Sequence, residues 1–300
     1  MLSNDSKNIT ASGLTNLFIV YLVWGSTYLA IRIAVREGSG FPPFMLGATR
    51  TLVAGLILFL WNYWRRSRLL PTRNELKILI ITGILLWIGG NGLVNWAEQH
   101  AHSGYAALLV GTMPMFVAIV EAIVDRRPPS PKFIIALLIG FSGLGVLTYP
   151  VLQNGSKADL LSIIALLLAP LSWGIGSVIM VRNKIGLSLT LISGYQQLIG
   201  AIAFFLISFL LKEPVMNPTG EAWAAWGYLV IFGSVIAFTA FLSALKALPT
   251  SIVMTYAYVN PVIAVFLGWL ILSEPVNLWT IAGTVLVLLG VAGVFHQKRK

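Results

Sequence analysis

The chain has 300 residues, of which 57% are hydrophobic and only 10% charged, and its mean hydropathy is +0.86. That balance excludes an ordinary soluble domain and predicts an all-α integral membrane protein, since spans of about 20 residues divide such a length into roughly ten helices. The net charge of +10 is accounted for below by topology rather than by nucleic acid, and the absence of cysteine excludes disulfides, thiolate metal sites and thiol catalysis.

The apolar runs predict spans at about 15–35, 43–64, 76–96, 104–124 and 132–150, then at about 160–181, 188–211, 222–245, 251–272 and 278–296. Turn chemistry separates them at Phe41-Pro42-Pro43, Pro128-Pro129-Ser130-Pro131, Gln153-Asn154-Gly155-Ser156, Glu213-Pro214, Asn217-Pro218 and Ser273-Glu274-Pro275. The first run exceeds the length of a signal-peptide core and no small-residue cleavage site follows it, so it reads as a span. Trp61, Tyr63, Trp64, Trp223, Trp226 and Trp279 fall at span ends, where indole and phenol rings anchor at the headgroup level.

With the N-terminus in the cytoplasm, the inner segments hold Lys7, Arg65, Arg66, Arg68, Arg73, Lys77, Arg126, Arg127, Lys132, Arg182, Lys184, Lys246, Lys298, Arg299 and Lys300. The outer segments hold only Arg36, Lys157 and Lys212. This asymmetry sets both termini in the cytoplasm and predicts a multi-pass protein of the cell inner membrane.

The two sets of five spans match at an offset of about 147 residues: Pro114, Pro128 and Gly143 recur as Pro261, Pro275 and Gly290, and Trp24-Gly25 recurs as Trp173-Gly174. Five is odd, so the second set must enter the membrane from the opposite side. The expected organisation is therefore two inverted five-helix units, about 15–150 and 160–296, the architecture of carriers that open alternately to each face. Pro114 and Pro261 lie inside the fourth and ninth spans, where a proline removes a helical hydrogen bond and is expected to act as a hinge. Glycines at helical spacing, such as Gly140, Gly143 and Gly145 in the fifth span and Gly283, Gly290 and Gly293 in the tenth, predict close helix packing.

Few polar side chains enter the spans, and each is expensive there. Asn91, Asn95 and Glu98 stand at i, i+4 and i+7, which predicts one wet face on the third span. Arg50 in the second span is expected to pair with Glu98. That pair either locks the two spans together or lets Glu98 exchange between Arg50 and a proton or cationic substrate. In the second half Gln197 takes the repeat position of Arg50. Tyr256 and Asn260 are one turn apart before Pro261, Trp24 and Tyr28 are one turn apart in the first span, and Trp173 is the counterpart of Trp24. Aromatic residues beside amides and a kink predict the wall of a substrate cavity. A phosphate-binding glycine loop, a serine nucleophile elbow and an intramembrane aspartate pair are all missing, which argues against ATP hydrolysis and enzymatic catalysis. No catalytic, metal or cofactor site is expected.

The motifs Trp24-Gly25-Ser26-Thr27-Tyr28, Gly90-Asn91-Gly92 with Ala97-Glu98, Ser103-Gly104-x-Ala106-Ala107-Leu108, Ser172-Trp173-Gly174-x-Gly176-Ser177 and Tyr256-Ala257-Tyr258-Val259-Asn260-Pro261-Val262 resemble the EamA-type drug/metabolite transporters, in particular bacterial inner-membrane exporters, over nearly the whole chain. The resemblance implies ten transmembrane helices in two inverted five-helix repeats around a central cavity. Carried onto this sequence, it implies substrate contacts from Trp24, Tyr28, Asn91, Asn95, Trp173, Tyr258 and Asn260. It also implies export of small metabolites, amino acids or drugs by alternating access, with proton antiport and facilitated diffusion both open. No Lys lies mid-span, so the expected substrate is a neutral, zwitterionic or weakly cationic small molecule. Membrane lipid is the other partner, nucleic acid is not one, and monomer and homodimer remain open. A non-transporting receptor or assembly factor that uses the repeat as a scaffold is the second reading.

Overall fold

The computed structural model describes residues 10–126, 130–154, 157–248, 250–253 and 255–298, and among them there is no strand. The helices are α1 (Ala11–Val35), α2 (Pro43–Trp64), α3 (Arg73–Ala97), α4 (Ser103–Val124), α5 (Pro131–Asn154), α6 (Lys157–Arg182), α7 (Leu189–Leu210), α8 (Gly220–Ala247), α9 (Tyr256–Leu272) and α10 (Leu278–Lys298), with a short helix, Thr250–Val253, before α9. Seven of them, α1 to α4 and α6 to α8, contain stretches long and apolar enough to cross a membrane. The apolar stretches Ile134–Pro150, Val259–Leu272 and Leu278–Gly290 are shorter. Large side chains such as Ile202 and Phe209 face outward, which suits lipid and would be a liability in water.

The helix starts follow from local chemistry, because the first N–H groups of each helix need acceptors. Thr10, Ser188 and Thr219 cap α1, α7 and α8 through their hydroxyls, and Thr72 with Glu75 forms a reciprocal capping box at α3. Two starts are capped from afar. Glu213, after α7, accepts from Phe44 N at 3.0 Å and Met45 N at 2.9 Å at the start of α2. Glu274, after α9, accepts from Ser103 N at 2.8 Å, Ser103 Oγ at 2.9 Å and Gly104 N at 3.1 Å at the start of α4. These carboxylates tie one repeat to the other.

Repeat counterparts also meet in the packing. α2 lies along α7 and α5 along α10, while α1 packs on α8 and α9 and α6 packs on α3 and α4. The non-glycine residues with positive φ are Arg66 (52°), Arg126 (51°), Lys212 (52°) and Ser273 (54°); Arg126 and Ser273 are 147 residues apart, the sequence offset itself. Both α3 and α8 contain a nine-residue π-helical stretch, Ile84–Gly92 and Leu229–Ala237.

Loop contacts sort the helix ends into two groups. At one end Asn217 N donates to Gly40 O (2.9 Å), Arg36 pairs with Glu221 (2.8 Å), and Glu274 caps α4. At the other, Arg68 pairs with Glu75, Glu75 accepts from Gly186 N (2.7 Å), Arg182 pairs with Asp125 (2.7 Å), and Gly13 abuts Leu248. α1 begins at the Glu75 end, whereas Asp159 in the first turn of α6 lies with Glu274 at the other.

One expectation changes. Pro114 does not kink a continuous helix: α4 is interrupted at Gly111–Thr112, and Pro114 falls in the first turn of the restarted segment, where its missing N–H costs nothing. Pro261 does lie inside α9, and Gly111 abuts it, a Cβ at Gly111 falling 3.0 Å from Pro261 Cγ. Pro128, its repeat mark with Pro275, lies outside the described residues.

The α5–α10 seam rests on glycine. A Cβ at Gly143 would fall 2.6 Å from Val287 N, and one at Gly290 would run into the Gly140 backbone, whereas Gly145 faces open space. Gly290→Val is expected to lower unfolding stability by about 1–3 kcal/mol, read as a fall in thermal midpoint of the detergent-purified protein. Gly145→Val, on the facing helix α5, should leave that midpoint unchanged, and equal effects of the two would speak against backbone contact at Gly290.

Candidate functional site: a central cavity

α1, α2, α3, α4, α6, α8 and α9 all contribute to a central cavity of about 70 Å³, measured to the centre of a water-sized sphere. Trp24, Tyr28, Arg50, Asn91, Trp173 and Asn260 line it, together with Trp87, Phe238 and Tyr256. Trp24 and Trp173, repeat counterparts, meet edge to face with centroids 5.5 Å apart and planes at 89°; Tyr256 meets Trp24 at 5.3 Å and Phe241 at 5.9 Å. Such T-shaped contacts place ring edges against ring faces and fix the wall without polar cost. Glycines make the approach possible: Gly25 abuts Ile263 and its counterpart Gly174 abuts Val117. Tyr21 and Thr255 share a hydrogen bond toward the Glu75 end, and the Asn260 amide nitrogen, in the orientation its neighbours require, donates to Tyr21 O and Tyr256 O at 3.2 Å.

Arg50 sits on the cavity wall between the two π-helical stretches. Its Nε donates to Ser234 Oγ at 2.7 Å and its guanidinium lies over the Trp87 ring at 5.6 Å. Trp87 and Ser234 are 147 residues apart, so the arginine is held between repeat-equivalent positions. Gln197, its own counterpart, donates to the Ser234 carbonyl at 3.2 Å and to Ser193 Oγ at 2.9 Å.

The structure separates residues that regular helical spacing had grouped. Asn95 does not reach the cavity; it is buried, and its Nδ2 donates to Pro43 O at 3.4 Å. The wider turn of the π-helical stretch around Asn91 shifts the register, so i and i+4 no longer share a face there. Arg50 and Glu98 do not form the expected ion pair. Glu98 lies at the Glu274 end, fully buried, and neither carboxylate oxygen has a hydrogen-bond partner. Arg32 reaches the neighbouring backbone instead, donating to Glu98 O at 2.5 Å and Gln99 O at 2.7 Å. Arg32, Tyr28 and Glu274 all stand within electrostatic reach of the Glu98 carboxyl. The side chain of Tyr258 lies outside the described residues; Tyr256, one turn before Asn260, faces the cavity. Trp87 and Phe238 are the large aromatic lining residues that spacing missed, beside smaller ones such as Ile31, Val110 and Met113. Among the described residues no cluster of His, Asp and Glu suited to a metal is present.

A cavity framed by both halves of a duplicated helical bundle suits a membrane transporter, and the family match makes it one. The EamA-like transporter family model matches residues 11–149 and again 160–296, and the chain belongs to that family as a multi-pass inner-membrane protein. It is 32% identical over 255 residues to the inner membrane transporter YedA of Escherichia coli K12, covering 84% of this chain and 80% of that one. It is 24% identical to an S-adenosylmethionine/S-adenosylhomocysteine transporter of Chlamydia muridarum, over 94% of this chain and 92% of that protein. A solved crystal structure with 20% identity shares the fold at a TM-score of 0.66, over 96% of this chain and 99% of that one.

Ser234 is the one hydrogen-bond acceptor of the Arg50 side chain among the described residues. Removing an acceptor from a buried charged donor typically costs about 1.5–3 kcal/mol, so Ser234→Ala should lower the thermal midpoint by a corresponding amount. An unchanged midpoint would mean that the Trp87 ring alone suffices to hold the guanidinium.

Proposed function

We propose that this protein is a secondary transporter exporting small metabolites, amino acids or drugs across the inner membrane by alternating access. The observation that carries the reading is the small central cavity, walled by matched elements of the two halves, with Trp24 facing Trp173 and the Arg50 side chain held between two equivalent π-helical stretches. Ten spans in two inverted repeats, with both termini cytoplasmic, are supported by the start of α1 and α6 at opposite ends of the bundle and by Arg68, Arg73 and Arg182 at the end where α1 begins. Pro261, in contact with Gly111 at the break in α4, is the point about which the halves rock, with Pro114 opening the segment beyond the break. Trp24, Tyr28, Asn91, Trp173 and Asn260 hold the substrate, a small organic molecule; the Chlamydia relative's S-adenosylmethionine supports a substrate of metabolite size.

Glu98 is the proton-coupling residue in this reading. A buried carboxylate with no donor is costly while charged and relieved by a proton. Tyr28 lines the cavity and stands within electrostatic reach of it, which links the substrate to the proton site. The test is flux in proteoliposomes under an imposed pH gradient, first screened by thermal shift against a metabolite panel to find a substrate. Asn91→Ala should lower transport at least about tenfold, the loss of one charged or well-aligned hydrogen bond, without changing expression or size-exclusion profile. Full activity in that variant removes Asn91 from the site. Glu98→Gln should abolish proton-driven flux while leaving substrate exchange; an unaltered response to the gradient rules Glu98 out as the coupling group.

A further inference from the structure

The cavity holds a positive charge and nothing to balance it. Arg50 is only 3% exposed, its Nη1 is buried with no hydrogen-bond partner, and its one hydrogen bond among the described residues is the Nε contact to Ser234. A guanidinium does not lose its proton in a protein, so the burial cost cannot be avoided by neutralisation. Among the described residues no Asp or Glu lines the cavity, and Glu98, the partner expected from the sequence, lies elsewhere without reaching Arg50. Gln197 does not supply the missing acceptor either: its Nε2 is spent on Ser193 and Ser234, and its Oε1 stays unpartnered. The Trp87 ring beneath the guanidinium offers a face to the cation but no acceptor for its N–H groups, and the Trp87 Nε1 donor is itself unpartnered. Among the residues lining the cavity, the buried side-chain groups without a partner are Arg50 Nη1, Trp87 Nε1 and Trp173 Nε1, all of them donors.

We infer that Arg50 is the receptor for a carboxylate on the transported molecule, so that the substrate class is a carboxylate-bearing small molecule with an apolar or aromatic body, amino acids included. A planar carboxylate matches the fork of a guanidinium with two parallel N–H bonds, and its single negative charge matches the single positive one. A dianionic phosphate would leave a surplus buried charge, and a purely neutral or cationic molecule would leave the guanidinium unpaired. The Trp24, Trp173, Phe238 and Tyr256 rings then receive the apolar body. This deepens the transport reading above and rests on the cavity assigned there.

The test uses the full-length purified protein and two matched pairs of probes: benzoate with benzamide, and L-phenylalanine with L-phenylalaninamide. Binding is read by thermal shift and by quenching of tryptophan fluorescence. The wild-type protein should bind at least one carboxylate about tenfold or more tightly than its amide, the discrimination expected of one charge-assisted pair. Arg50→Gln should erase that preference and Arg50→Lys should retain part of it, with size-exclusion profile and helicity as the check on folding. Where Arg50→Gln does not fold, the wild-type comparison and Arg50→Lys decide. Equal binding of acid and amide, binding of amides alone, no response to either acid, or a preference that survives Arg50→Gln overturns the inference. Amides carried across proteoliposomes without a carboxylate requirement would leave the transporter reading standing and sink this one. Carboxylates bound at Arg50 but never moved would do the reverse.

Discussion

A lipid tail offers no hydrogen bond, so any backbone carbonyl freed from a helical ladder inside the bundle must be met by protein or by water in a cavity. The two π-helical stretches are where this constraint is felt, because the wider turn loosens the regular ladder. Each is answered from the other half of the chain. Ser172 of α6 donates to Leu85 O in the first stretch at 2.8 Å, and Trp24 of α1 donates to Gly233 O in the second at 3.3 Å. The first helix of each repeat thus satisfies the opened backbone of the third helix of the other, and the cavity forms between them. Neither half can complete its own hydrogen bonding here, which is why the duplicated units interlock rather than sit side by side.

The same exchange governs the ends and the rim. Glu213 caps α2 and Glu274 caps α4 across the repeat boundary, while glycines bring α5 against α10 and α2 against α7 with little side chain between them. α2 with α7 and α5 with α10 flank the helices that frame the cavity, and only α2 among these four reaches it, through Arg50. The flanking pairs supply fixed contact; the remaining six helices surround the space that must change shape if a substrate is to pass.

The repeat, the helix ends and several residues that line the cavity were legible in the sequence because they rest on features that survive translation into one dimension: run length, turn residues, the 147-residue offset, and the cost of Asn91, Asn260 and Arg50 in an apolar setting. What failed were inferences that assumed an unbroken α-helical register. Asn95 was grouped with Asn91 by counting four residues, yet the π-helical stretch moves it to Pro43. The pairing of Arg50 with Glu98 looked natural because both are charged and lie on adjacent spans. The Trp87 ring and the Ser234 hydroxyl, one from each half, hold the arginine instead, and Glu98 keeps company with Arg32 and Glu274. Pro114 and Pro261 share a repeat position but not a role, since a break at Gly111–Thr112 precedes the first and an unbroken helix contains the second. A π-helical turn carries no propensity signal of its own. It is set by which side chains are pressed against the helix, and that information lies in the other half of the chain.

Backbone pseudo-symmetry and side-chain asymmetry therefore divide the work. On the proposed alternating-access reading, two equivalent halves supply two equivalent ways of packing and so two ways of opening, and nothing in that equivalence says what is carried. The exchange of Arg50 for Gln197 at the paired position breaks the symmetry in charge alone. Both side chains converge on Ser234, one on its hydroxyl and one on its carbonyl, so the amide completes the backbone hydrogen bonding while the guanidinium is left with donors to spare. Two arginines at these positions would repel across one serine, and two glutamines would leave the cavity without charge. One of each gives a scaffold whose packing is symmetric and whose charge is not, and on the carboxylate inference it is this difference between the repeats that selects the cargo.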